Sequence, residues 1–181
     1  MTTTAAAPVV ERPAPDEHAP YYSKYTDLVP DGDVVEHMDR QARETIAFLR
    51  GIPSDLHDHR YAEGKWSIKE VIGHIADAER IFAYRALRIA RGDQTPLASF
   101  DENLYVPAGE FGARAYGSLV DELESVRRAT LAFFRSLTPE QARRRGVASS
   151  NEVSVRAIAY IIAGHVDHHV RILRERYLGQ S

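Results

Sequence analysis

Residues 65–93 read KWSIKEVIGHIADAERIFAYRALRIARGD, and their pattern decides the fold class. Ser67-x-x-Glu70 is a capping box, and Trp66 just before it is placed to staple onto Val71. Ile68, Val71, Ile72, Ile75, Phe82, Ala86 and Ile89 then recur at the helical period up to Gly92, which predicts one long amphipathic helix. Residues 152–178, EVSVRAIAYIIAGHVDHHVRILRERYL, predict another, beginning near Ser154 and ending by Gly179. Val155, Ile158, Ile162, Val166 and Leu173 form its apolar stripe.

Upstream, Asp33 caps a predicted helix running to about Leu49, with Val34, Met38, Ala42, Thr45 and Leu49 in helical spacing. Gly51, Ile52 and Pro53 stop it. A further helix is predicted from about Ala115 to Ser136, with Leu119, Leu123, Val126, Thr130 and Phe133 or Phe134 inward. Thr138-Pro139-Glu140-Gln141 starts a short helical turn. Between the second and third helices, Gly92–Gly112 is a long connection, a length that favours a functional loop. No repeat and no strand pattern emerges. The expectation is an all-α, up-and-down type four-helix bundle with a long crossover loop and short extra helical turns. Residues 21–181 form one domain on this reading, after a flexible Ala-, Pro- and Thr-rich tail over residues 1–20.

Net charge is −3 with histidines neutral, which argues against a general nucleic-acid or membrane-surface binder. The chain has no cysteine, so any disulfide, cysteine-ligated metal or thiol nucleophile of its own is excluded. No apolar run approaches the ~20 residues of a membrane span, and the N-terminus lacks the charged and apolar regions of a secretory signal. A soluble cytoplasmic protein is expected. Gly-x-Ser-x-Gly and Gly-rich phosphate loops are absent.

Three histidines stand out. His165 and His169 lie four apart on the last helix, inside its apolar stripe, with His168 on the shoulder. His74 lies at the edge of the second helix's stripe. Buried imidazoles need partners, and a shared divalent ion satisfies three at once while leaving a coordination position for water or substrate. Spacing alone leaves hydrogen-bonded core histidines as the alternative. Gly73 and Gly164 remove bulk beside these residues and would let the two helices approach closely. His18, His37, His57 and His59 lie in or near polar segments and read as solvated. Asp77 either orients a ligand ring or pairs with Arg80. Glu79, a carboxylate in an apolar stripe, reads as a partner for Arg85, Arg88, Arg171 or Arg174 rather than as a general base. Asp101 and Glu102 are candidate polar contacts from the long loop.

Residues 65–93, TPLASFDENLYV (95–106) and residues 152–178 together closely resemble the DinB-like superfamily, in its YfiT-like branch. The resemblance spans about Tyr21 to Leu178. It implies a divalent metal, zinc or nickel foremost, held by His74, His165 and His169, with His168 a neighbour. It implies a small-molecule substrate, no nucleic acid or membrane partner, and a homodimer as the common state. The activities it implies are a hydrolase, or a thiol S-transferase using a low-molecular-weight thiol cosubstrate such as bacillithiol or mycothiol. A thiol-dependent maleylpyruvate isomerase also belongs among these relatives. The competing reading is a non-catalytic metal-binding bundle with a stress-response or interaction role.

Overall fold

A computed structural model describes residues 10–180. Its helices are α1 (Ser23–Thr26), α2 (Val34–Arg50), α3 (Ile68–Ala90), α4 (Glu102–Ala108), α5 (Tyr116–Arg135), α6 (Pro139–Arg143) and α7 (Val155–Ile172). The caps form as the sequence predicts. Asp33 accepts from the Val35 amide at 2.9 Å, and Ser67 and Glu70 close their box at 3.3 and 2.6 Å. α7 passes into a π-helical turn over Leu173–Tyr177.

α2, α3, α5 and α7 form the four-helix bundle, and side-chain pairs fix their directions. Arg80 meets Glu122 and Arg91 meets Phe133, so α3 and α5 run parallel. Arg50 meets Asp121 while Arg135 meets Asp39, so α2 opposes α5. Gly32 meets Tyr160 and Phe48 meets Arg174, so α2 follows α7. Trp66 meets Tyr177 and Phe82 meets His165, so α3 opposes α7. The order is up-down-down-up, and strict alternation breaks between α3 and α5. Two parallel neighbours need a connection that travels back along a helix length. The long crossover supplies it, and it carries α4 and a 3-10 turn at Phe111–Ala113.

One buried polar chain ties the four helices. Arg127 of α5 donates from Nε and Nη2 to the Glu79 carboxylate of α3 at 2.8–3.1 Å, and from Nη1 to Gln41 Oε1 of α2 at 2.7 Å. Gln41 Nε2 donates to the Ala163 carbonyl of α7 at 2.8 Å and to Asp167 at 2.7 Å. Glu79 therefore does pair with an arginine, but with Arg127 rather than with the four expected. Asp77 pairs with Arg80 at 3.3 Å.

Three further features differ from the sequence reading. Residues 1–9 of the expected tail lie outside the described residues, but from Val10 onward the chain is packed on the bundle. Val10 is fully buried, and Glu17 forms an ion pair with Arg156. Next, Gly164 does not serve a close approach of α3 to α7. A Cβ there would sit 2.0 Å from the Tyr25 carbonyl, so the glycine seats α1 on α7; Gly73 likewise seats the Phe111 ring. Finally, two antiparallel strands, β1 (Arg145–Ala148) and β2 (Asn151–Ser154), precede α7. Their turn holds Ser149 and Ser150 at φ 52° and 63°, so the Asn-Gly signal of a tight hairpin is missing from the sequence.

Ser150→Gly relieves a left-handed backbone and is expected to stabilise the protein by about 1 kcal/mol, read as a raised melting temperature. Gly164→Ala is expected to cost about 2–3 kcal/mol in denaturant unfolding, because the Tyr25 backbone must move. Burial by itself would raise Glu17, but hydrogen bonds from Arg156, Ser154 and the Ala14 amide outweigh it and hold the carboxyl at about 2. A carboxyl depressed in the folded state stabilises above its unfolded value near 4.5 and loses that contribution as pH falls towards 2. Stability measured between pH 5 and pH 2.5 should fall less steeply for Glu17→Gln than for the parent.

Candidate metal centre

α3 and α7 bring His74, His165 and His169 together, and one ring nitrogen from each lies within 4.8 Å of the others. His165 Nε2 is 3.1 Å from His74 Nε2 and 3.1 Å from His169 Nε2. His74 and His165 are buried, while His169 keeps part of its surface open. His169 is the least covered of the three. The four-residue spacing on α7 stacks two rings on one face, and antiparallel α3 delivers the third from across the groove.

Protons satisfy this arrangement poorly. A neutral Nε2 carries either one hydrogen or one lone pair, yet the His165 nitrogen faces two others at contact distance. Protonation is no remedy. Burial holds His74 down at about 4. Burial, then the neighbouring histidines and Lys24, push His165 and His169 well below the usual histidine range. The rings stay neutral at physiological pH, the state that binds a cation. Nitrogens about 2.1 Å from a shared ion lie about 3.0 Å apart at right angles and about 3.4 Å apart at tetrahedral angles. The observed 3.1 Å contacts match that range. The donor set fits a divalent ion held by three imidazoles from one side.

Aromatic rings wall the trio. Trp66 lies 4.7 Å from the His74 ring, and Tyr25 and Phe82 meet His165 edge-on at 5.3 and 6.1 Å. Tyr177 donates to the Trp66 carbonyl at 2.6 Å, so the π-helical turn after α7 clamps the start of α3. His168 stands outside the trio, against Tyr25 at 5.4 Å. Burial lowers it, helped by Arg171, Lys24 and Arg176.

The remaining candidates are placed elsewhere. His18 is buried against the Ala19 carbonyl, His37 bonds to Asp167, and His57 stacks on Tyr116 at 3.5 Å, so these three are structural rather than solvated. His59 is exposed. Asp101 is spent on capping α4, at 2.9 Å from the Asn103 amide. Glu102 is half-buried on α4, and its charge is felt by Tyr22 and Tyr25. Sequence reasoning missed Tyr25 and Phe82 as walls of the site. Gly164 was the available signal for Tyr25, because its missing side chain marks where α1 lands.

The profile of the DinB superfamily matches residues 37–173. Over 112 residues the chain is 29% identical to a protein of Oceanobacillus iheyensis described as a candidate metal-dependent hydrolase. That match covers 61% of this chain and spans only 64% of the relative's length. Among solved structures the chain resembles YfiT from Bacillus subtilis, described as a probable metal-dependent hydrolase with an unusual four-helix bundle topology. The TM-score is 0.68 at 17% identity, over 94% of this chain and 95% of that one. It also resembles a mycothiol-dependent maleylpyruvate isomerase, with TM-score 0.63 at 14% identity over 80% of this chain and 61% of that one. A third similar structure is the DinB-like protein YjoA of Bacillus subtilis, with TM-score 0.57 at 21% identity over 82% and 92%. Identities this low speak for the fold alone. The profile covers most of the chain, and with the bundle and its histidine trio now described, the chain belongs to the DinB superfamily.

Proposed function

We propose that His74, His165 and His169 hold a divalent metal ion and that the protein is a metal-dependent enzyme acting on a small molecule, foremost as a hydrolase. The observation that carries this reading is the convergence of three neutral imidazole nitrogens on one point, where protons cannot satisfy them all. Such an ion, with three protein ligands and open positions, supplies a Lewis acid and an acidified bound nucleophile near neutral pH.

This chain's own residues do the rest. His74, His165 and His169 would hold the ion, and His169, the least covered of the three, marks the side from which a substrate would approach. Trp66, Tyr25 and Phe82 exclude water from the other faces of the rings. Tyr177 holds the Trp66 backbone and, through it, the ring packed on His74. Zinc and nickel both suit three imidazoles. Because the chain has no cysteine, a thiol nucleophile would have to arrive as a cosubstrate. A thiol S-transferase is therefore the second reading, supported by the fold shared with the mycothiol-dependent isomerase.

The chain has a single tryptophan, and it lies against His74, so its fluorescence reports on the site without ambiguity. Chelator-treated protein titrated with zinc, nickel or cobalt should bind one ion per chain, with a change in Trp66 emission. Saturation at 100 times Kd should add about 2.7 kcal/mol of stability, visible as a raised melting temperature. His165→Ala should abolish retention. Full metal stoichiometry in that variant would sink the assignment. Metal-reconstituted protein is then screened with model esters in buffer, and with electrophiles plus small thiols, using His165→Ala as the blank. Turnover without thiol selects the hydrolase; turnover only with thiol selects the transferase.

A further inference from the structure

We propose that Arg85 holds a small inorganic anion, of the size of chloride, in a buried cavity between α3 and the hairpin that precedes α7. The site is separate from the histidine trio: on α3, Arg85 stands eleven residues beyond His74, about 16 Å of helix. It does not depend on the metal reading.

The carrying observation is a buried guanidinium with no counter-ion. Arg127 and Arg85 are both buried, at 4% and 3% exposed. Arg127 has the Glu79 carboxylate. Among the described residues no carboxylate lies within ion-pair distance of Arg85, and the neighbour that acts on its charge is the Tyr22 hydroxyl. Arg85 Nη2 donates to the Ala98 carbonyl at 2.7 Å and to Ser149 Oγ at 3.0 Å. Nε and Nη1 carry three further N–H groups, and these reach no acceptor among the described residues. No buried side-chain nitrogen of the described residues is sealed off without a partner, so Nε and Nη1 border space that a solvent-sized partner can enter. Phe82 and Phe100 flank the guanidinium, with ring centres 5.8 and 5.7 Å from its carbon. These rings offset part of the cost of burying the charge but do not neutralise it.

Arg85 lines a cavity of about 10 Å³ together with Tyr22, Phe82, Val153 and Ile158, and with Asn151 and Glu152 of the hairpin. Such a cavity admits one water or one monatomic ion and is too small for an organic ligand. Tyr22 brings an O–H to it. Asn151 brings an amide whose first N–H goes to the Ser149 carbonyl at 2.7 Å and whose second is left over. Glu152 is the one carboxylate in the lining, and Arg145 holds it at 2.6 Å. Water in the cavity would solvate the guanidinium; an anion also cancels its charge, and apolar walls make that the larger gain. Arg85 ties the crossover, at Ala98, to the hairpin, at Ser149, whose backbone is held at φ 52°. An anion on Arg85 therefore fixes the junction of these two segments.

Urea unfolding of the full chain tests this at constant ionic strength, as sodium gluconate, whose anion is too large for the cavity, is replaced by sodium chloride. Chloride should stabilise saturably: at ten times its Kd the folding equilibrium constant rises about elevenfold. Bromide should act in its place, and crystals of the parent grown in bromide should show an anomalous scatterer beside Arg85. Arg85→Met keeps the length of the side chain and removes the charge, so its stability should be the same in the two salts whatever its absolute value. Stability indifferent to chloride, a gain that never saturates, or an equal response in Arg85→Met overturns the inference. So does a water in place of bromide at Arg85, or a bromide seen at crystal concentration only while stability in solution ignores the ion. Should Arg85→Met fail to fold, the bromide crystals of the parent decide.

Discussion

The bundle turns on the buried chain of hydrogen bonds running from Glu79 through Arg127 and Gln41 to Asp167. Glu79 is 2% exposed and Arg127 4%, so neither charge has water to fall back on. Removing one partner of such a pair typically costs about 3–5 kcal/mol, because the other is left buried and uncompensated. Each of the four long helices gives at least one group to the chain. Apolar packing tolerates small rotations of a helix about its axis; a bidentate arginine–carboxylate pair does not.

That rigidity matters most for α7. Gln41 holds it twice, at the Ala163 carbonyl and at Asp167, while His37 bonds the other oxygen of Asp167 at 3.1 Å. Asp167 is two residues from both His165 and His169, about 200° around the helix from each. Tying that face to α2 therefore aims the histidine face at α3. On α3, Glu79 stands five residues beyond His74, so the same network sets the helix that brings the third nitrogen. The spacing of the three imidazoles follows from contacts made on the far side of the helices, away from the groove where they meet.

Legibility in the sequence followed the range of the forces involved. The helix starts at Asp33 and Ser67 were readable because a cap is decided within three or four residues. His165 and His169 were readable as a pair because the helical period is local, and His74 joined them through a resemblance, since no spacing rule relates residues 91 apart. The partner of Glu79 was misassigned for the same reason: Arg127 becomes its neighbour only because α3 and α5 run parallel. The hairpin before α7 was missed because two serines adopt backbone angles that glycine or asparagine would have advertised. The packing of residues 10–20 was hidden by an Ala- and Pro-rich composition that reads as disorder, although Val10 and Glu17 have tertiary partners.

The elements that hold the trio and some of those that surround it come from different parts of the chain. The trio depends on α3 and α7, locked by α2 and α5. The rings around it come partly from elsewhere: the lead-in at α1 brings Tyr25 against His165. α1 is seated on α7 through Gly164, a position where one missing side chain decides whether the lead-in can dock. Changes in the lead-in or the crossover can thus alter what reaches the three imidazoles without disturbing the buried chain that positions them. The choice of substrate has to be read from the residues packed around the trio, among them Trp66, Tyr25 and Phe82.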